Sequence, residues 1–249
     1  MTRSAPIRPA CRPARRPAVR RAAGVTLLAT AATLLAAVPA SAAPAVEGSL
    51  SSNATFPFSG NCTVAESPAP QTEPFTNRTG TRSATGGGSF EAVASGTTDV
   101  AVNANGSATT TGSVGTTGRT LRRATLGARH VVSLTNTDAY DCAATLTLDS
   151  QIGMSFEVAD RPRRLTLAWD RTGGAGRIAQ LTLYGAKGRT VADLAATKPS
   201  GRRTLRVRPG DYYLYVQYLT TISEADVAVG ETGQARTRYR LDVTTAAVR

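Results

Sequence analysis

The chain has little of what catalytic centres are commonly built from. Among its 249 residues there is one histidine, His130, and there are three cysteines. Nucleophilic hydrolysis needs a base beside a serine or cysteine. His130 instead sits between Arg129 and Val131 in a strand-like run, with neither partner next to it. It therefore reads as a structural or surface residue. No G-x-S-x-G, H-E-x-x-H or reactive-cysteine pattern occurs. One histidine with so few cysteines also leaves no zinc set. Sustained 3.6-residue periodicity is missing after residue 42, which argues against helices. The main apolar stretch, residues 25–38, has 14 residues, short of the roughly 20 that cross a bilayer. Paired carboxylates are the one catalytic arrangement that leaves no local motif. The 17 acids offer many pairs and single out none.

Residues 1–21 lack acids and carry seven arginines: Arg3, Arg8, Arg12, Arg15, Arg16, Arg20 and Arg21. The apolar stretch follows, broken only by threonines, and then Pro39-Ala40-Ser41-Ala42. Basic, apolar, then small residues at alternate positions is the layout of a secretory signal peptide, with cleavage expected after Ala42. Cys11 lies in the basic part, so no lipid-bearing N-terminal cysteine is expected. Arg20-Arg21 is flanked by Val19 and Ala22-Ala23-Gly24, a poor twin-arginine setting. The expected location is secreted and extracellular, with no membrane span in the mature chain.

Without residues 1–42 the chain keeps 22 basic and 17 acidic residues, a net +5 against +12 for the whole. Much of the basicity is leader, so no nucleic-acid partner is implied. The remainder is uneven: residues 43–120 carry net −2 and residues 121–249 net +7. Cys62 and Cys142 are the cysteines left. In an oxidising compartment they most simply pair with each other, two free thiols being the alternative. A bridge would enclose 79 residues, worth about 4 kcal/mol on the chain-entropy model.

Residues 43–87 are rich in Pro, Ser, Thr and Gly, with Ser67-Pro68-Ala69-Pro70, Glu73-Pro74 and Gly86-Gly87-Gly88. Their apolar residues are chiefly Phe56, Phe58 and Phe75. Such a segment builds no core alone and reads as extended or loop-like, anchored near Cys62. Residues 88–149 show short alternating runs, with Asn105-Gly106 as a hairpin turn between two of them. After residue 150, strands are expected at 152–158, 165–169, 181–183, 205–208, 212–218 and 239–243. The residues 184–188 and Pro209-Gly210 read as turns. Threonine and valine favour pleated, half-buried surfaces. Short strands at near-regular spacing with Gly/Pro turns are the signature of a sandwich. The expected organisation is a leader (1–42), an extended segment (43–87), a Thr/Ser/Gly-rich β region tied by the disulfide (88–149), and an all-β sandwich (150–249).

Residues 150–245 carry a further pattern. A strand at 165–169 is followed by Ile178-Ala179-Gln180-Leu181-Thr182-Leu183-Tyr184 and Gly188-Arg189-Thr190-Val191-Ala192. Then come Pro209-Gly210-Asp211-Tyr212-Tyr213-Leu214-Tyr215-Val216 and Tyr239-Arg240-Leu241-Asp242-Val243. This order resembles the bacterial pre-peptidase C-terminal domain, a jelly-roll-like β-sandwich found beside secreted hydrolases. The resemblance implies that fold for residues 150–245. In that family a catalytic domain usually sits upstream, whereas only 107 residues separate leader and module here. The resemblance therefore implies a fold more than a function.

Side chains alternate across a strand. With Leu214 and Val216 in the core, Tyr212 and Tyr218 point inward, and Tyr213, Tyr215 and Gln217 outward. By the same rule Arg206 and Arg208 point away from Leu205 and Val207, and Arg240 away from Tyr239 and Leu241. If these strands share a sheet, exposed tyrosines lie among arginines. Aromatic rings stack on sugars or polypeptide, and arginine forks grip carboxylate or phosphate. The alternative is a solvated face with cross-strand Tyr–Arg packing. The candidate binding residues are thus Tyr213, Tyr215, Arg206, Arg208 and Arg240. Asn136, Asp138 and Asp141 gather oxygen ligands beside Cys142 in a manner that suits calcium. The alternative there is an Asn/Asp turn, and no other cofactor is expected. Together these readings describe a secreted, non-catalytic β-sandwich protein that binds an anionic envelope polymer, a polysaccharide or a secreted protein. A structural or accessory protein is the alternative, followed by a hydrolase with dispersed carboxylates.

Overall fold

Valine, threonine and leucine at alternate positions pair into ladders through almost the whole described chain. A computed structural model describes residues 45–64, 70–76, 80–137, 141–194 and 198–248. The expected leader, residues 1–42, lies outside them. The strands are β1 (Val46–Thr55), β2 (Phe58–Gly60), β3 (Cys62–Val64), β4 (Gln71–Thr76), β5 (Thr81–Ala94), β6 (Val100–Thr117) and β7 (Thr120–Asn136). They continue as β8 (Cys142–Val158), β9 (Arg163–Gly173), β10 (Gly176–Tyr184), β11 (Thr190–Asp193), β12 (Ser200–Val207), β13 (Gly210–Ser223) and β14 (Thr232–Ala247). Two antiparallel sheets form a sandwich. The first has the order β11-β10-β13-β8-β1-β4, with β2 also pairing β8, and the second β12-β9-β14-β7-β6-β5-β3.

This arrangement differs from the expected organisation in three places. The segment 43–87, expected to be extended or loop-like and to build no core alone, is extended where described but joins both sheets, supplying β1 to β4 and half of β5. Its glycines pair in the ladder, Gly86 with Ala108 and Gly88 with Gly106. A Cβ at Gly86 would run into the Ser52 carbonyl, so the glycine lets the two sheets approach there. Second, no boundary falls at 149/150, because β8 runs through it as one 17-residue strand. Third, Asn105-Gly106 makes no turn. It lies inside β6, opposite Ser89 and Gly88 on one side and Ser133 and Val132 on the other. A Cβ at Gly106 would stand 2.8 Å from Leu148 Cδ2, so the residue is small to admit a leucine. The turn is Gly118-Arg119, joining Thr117 to Thr120, with Gly118 at φ 58°. A glycine at the first turn position suits the twist of a tight hairpin.

The core divides in two along the strands. One cluster holds Leu50, Phe75, Leu126, Ile152, Leu167, Leu214 and Leu241, and the other Phe56, Phe90, Val102, Leu134, Leu146 and Ile222. Each fully buried large side chain stabilises by about 1.5–3 kcal/mol. Between the clusters runs a fully buried polar chain that crosses from sheet to sheet. Ser52 on β1 lies 2.6 Å from Thr110 on β6, which lies 2.7 Å from Ser150 on β8. Ser150 meets His130 Nε2 on β7 at 2.9 Å, and His130 Nδ1 meets Thr220 on β13 at 2.9 Å. Thr220 then meets the Tyr239 hydroxyl on β14 at 2.8 Å. At the two ends Ser52 reaches Ala84 O and Tyr239 reaches Leu219 O; with His130 neutral the six protons of the chain fill six of these seven contacts, so one end hydroxyl donates to its carbonyl and the other donates inward. A buried network of this kind fixes the register of one sheet over the other, because any slip would strand its hydroxyls.

Cys62 and Cys142 are joined in a disulfide, with Cα atoms 5.5 Å apart. It ties β3 of the second sheet to the start of β8 in the first.

Candidate functional site

The alternation read from residues 212–218 holds in the fold. Leu214, Val216 and Tyr218 are buried in the core, while Tyr213 is 41% exposed. Tyr212 packs against the inner cluster, stacked on Phe156 at 5.7 Å, with its hydroxyl donating to Arg208 O. Partial burial raises the Tyr212 pKa, against the lowering effect of that carbonyl and of the Arg208 charge.

Tyr213 and Tyr215 do not lie among the arginines. They stand on β13, in the first sheet, whereas Arg206 is on β12 and Arg240 on β14, both in the second. Arg208 is exposed in the connection from β12 to β13. The connections from β12 to β13 and from β13 to β14 each cross between sheets. Outward residues of neighbouring strands in sequence therefore end on opposite faces of the sandwich.

On its own face, Tyr213 has an aromatic neighbour that sequence reasoning had placed in a turn. Tyr184, at the end of β10, pairs directly with Tyr213, and their ring centroids are 6.2 Å apart. Thr182 pairs with Tyr215 and Gln180 with Gln217. Tyr184, Tyr213 and Tyr215 line a groove of about 540 Å³ with Gln180, Gly185 and Gly188. The floor is shaped by Gly153, which pairs with Tyr215 across β8. A Cβ at 153 would collide with the Tyr213 hydroxyl and ring. The glycine lets the ring lie down on the sheet.

The surroundings of the rings are amides and carboxylates. Asp149 Oδ2 accepts from Gln151 Nε2 at 2.8 Å and from Gln217 Nε2 at 2.9 Å. Thr182 receives Gln180 Nε2 at 3.2 Å and donates to Asp193 at 3.5 Å. The Tyr215 pKa is raised, first by partial burial and then by the negative charge of Asp149 and the neighbouring Tyr213 and Tyr184. No charged side chain lines the groove; Asp149 and Asp193 lie near the tyrosine ladder, and Lys187 and Arg189 flank Gly188 in the chain.

The remaining candidates fall elsewhere. Asn136 is buried, and its amide donates to Glu224 Oε1 at 2.8 Å and to Val227 O at 3.0 Å. Asp141 is exposed, its carbonyl accepting from the Asn61 amide at 2.8 Å, and Asp138 lies outside the described residues. Among the described residues no group of three His, Cys, Asp or Glu side chains is placed to hold a metal ion. His130 and Ser150 do form a hydrogen-bonded pair, but both are sealed in the interior, and the other His130 nitrogen meets a threonine rather than a carboxylate. That pair reaches no substrate.

Tyr184 and Gly153 are the residues that a linear reading missed. The signal for Gly153 was present as an isolated glycine inside a strand, which marks a close approach from above.

No protein-family model matches this chain, and no curated protein matches it in sequence. One solved structure similar to it is described as the structural basis for the promiscuous specificity of the carbohydrate-binding modules from the beta-sandwich super family. The identity is 8% and the TM-score 0.21, over 79% of this chain and 98% of that one. A likeness at that level carries no argument about what this chain binds.

Proposed function

We propose that this chain is a secreted, non-catalytic protein that binds a neutral polysaccharide on the outer face of the first sheet. The observation that carries the reading is the row of Tyr184, Tyr213 and Tyr215 on one groove, with Tyr213 laid over Gly153. Sugar rings present flat C–H faces that stack on aromatic rings, and hydroxyls that seek amide and carboxylate partners. Gln180, Gln217 and Asp149 supply such partners beside the rings. The Cys62–Cys142 bridge supports an oxidising compartment. Residues 150–245 retain their resemblance to the pre-peptidase C-terminal domain as the proposed origin of this half of the sandwich.

The test is co-sedimentation of the purified protein with a panel of insoluble neutral polysaccharides, with Tyr213→Ala/Tyr215→Ala as the comparison. Binding to at least one polymer that falls about tenfold or more in the double variant supports the face, that loss being about 1.4 kcal/mol. The binding should change little with salt, because stacking is not screened as charge pairs are. A folded protein that binds none of the panel ends the proposal.

A further inference from the structure

The opposite outer face has the reverse chemistry. On β14, Arg236, Arg238 and Arg240 alternate with Thr237, Tyr239 and Leu241, which are buried. Successive outward residues on a strand stand about 7 Å apart. Across the ladder Arg238 pairs directly with Arg129 of β7, and Arg206 of β12 pairs directly with Arg164 of β9. Like charges placed directly opposite destabilise a sheet, so sheet stability gives no reason for these pairs.

Compensation on this face is partial. Asp242 engages Arg240 at 2.8 Å and Arg123 at 3.4 Å. Those contacts hold the Asp242 carboxyl below its usual range, against the opposing effect of partial burial. By contrast Arg129, Arg236 and Arg238 make no ion pair among the described residues. These three line one crevice of about 240 Å³ with Thr172 and Gly173. His130 and Thr237 also line it, although their side chains are buried.

We propose that this face, centred on Arg129, Arg236 and Arg238, is a second binding surface, and that its ligand is a linear acidic polysaccharide carrying repeated oxyanion groups. Charge complementarity selects an anion, and guanidinium forks match sulfate, phosphate and carboxylate oxygens in pairs. Among the described residues the large exposed apolar side chains are Phe58, Val191, Tyr213 and Val229, and none of them projects from this face of β14, β7 or β9. The surface therefore offers no ring on which bases could stack and no apolar wedge for a bilayer. What it offers is rows of fixed positive charge at strand spacing, which reads the charge of a flexible chain and little else.

The test titrates the purified protein with dextran sulfate, with uncharged dextran and a single-stranded oligonucleotide as rivals, from about 50 to about 300 mM salt. Three variants accompany the parent: R129Q/R236Q/R238Q, the off-face control R161Q/R189Q/R208Q, and Tyr213→Ala/Tyr215→Ala. The expected result is dextran sulfate binding that weakens about tenfold or more in the first variant, with the salt slope reduced by about 2. The off-face control removes the same charge and should keep most of the binding. The tyrosine variant should bind dextran sulfate like the parent, so that this face stands or falls apart from the neutral-polysaccharide groove. Equal loss in both arginine variants would reduce the effect to net charge and overturn the site. So would unchanged binding in R129Q/R236Q/R238Q, or a preference for the oligonucleotide over dextran sulfate.

Discussion

The contact between Tyr213 and Gly153 allows the tyrosine face to be tested without removing a tyrosine. Gly153 sits in β8 between Ile152 and Met154, both buried in the core, so its own missing side chain points outward beneath the Tyr213 ring. In Gly153→Ala one methyl group would occupy space held by the Tyr213 hydroxyl and ring. The ring must rotate or lift, since Gly153 is not among the positive-φ glycines and its backbone accepts alanine. The core side of β8 is untouched. Gly→Ala at a compatible position stabilises by about 0.4–1 kcal/mol through the unfolded state, which offsets part of the steric cost. Thermal stability should therefore move little. Binding should move more: a displaced platform ring forfeits about 1 kcal/mol or more of stacking, a roughly fivefold to tenfold loss in affinity.

The assay is a double-mutant cycle on the polysaccharide that the co-sedimentation panel identifies. Gly153→Ala, Tyr213→Ala and the combination are compared by calorimetric titration. If glycine 153 acts only by seating the ring, the alanine costs affinity in the parent and nothing once Tyr213 is gone, since residues in contact are non-additive. Equal losses with and without Tyr213 would show that the methyl group acts elsewhere. No loss in the parent would show that the position of the ring is irrelevant to binding. Either result refutes the reasoning.

Two further outcomes concern stability. Burial lowers the His130 pKa to about 4 from 6.5, so the folded protein holds the ring neutral while the unfolded chain takes up a proton below pH about 6.5. The stabilisation is complete above that pH and is lost as pH falls toward about 4, by about 3 kcal/mol in all. As the sequence contains one histidine, urea unfolding between pH about 7 and about 5, above the range where carboxylates such as Asp242 contribute most, reports this residue, and a flat profile would contradict the enclosed ring. Reducing the Cys62–Cys142 bridge, with its sequence separation of 80, should lower the unfolding free energy by about 4 kcal/mol; an unchanged urea midpoint would mean that the loop is already held by the sheets.

Period-two patterning was the legible layer. It set which residues of 212–218 face outward, because a strand at a sandwich surface has one core side and one wet side whatever sheet it joins. The disulfide was legible for a similar reason, since chemistry and compartment leave few partners for Cys62 and Cys142. Sheet membership was not. Whether β12, β13 and β14 lie side by side or alternate between layers depends on where their connections lead, and no alternation pattern encodes it. Strand length was hidden too. Glycine and asparagine in Gly86-Gly87-Gly88 and Asn105-Gly106 favour turns locally. In the fold Gly86 and Gly106 serve as small residues where the sheets meet or a leucine enters. Tertiary packing overrode the local signal at both places.

The crossing of those connections has a consequence for binding. Tyr213 and Arg240 are close in sequence, yet a sandwich core of roughly 10 Å between sheets separates their backbones, and their side chains point away from each other. A single ligand strand cannot lie on both. The two proposed surfaces differ in charge: Asp149 and Asp193 hydrogen-bond to residues near the groove tyrosines, and the far face carries Arg129, Arg236 and Arg238, which make no ion pair among the described residues. A molecule built in this way takes an acidic polymer by charge on one side and a neutral one by stacking on the other. Where both polymers belong to one matrix, two weak contacts at either end of a rigid spacer hold far better than one, because the second forms at high effective concentration. The sheet-to-sheet hydrogen-bonded chain from Ser52 to Tyr239 gives that spacer its stiffness, since the two faces can shift relative to one another only by breaking it.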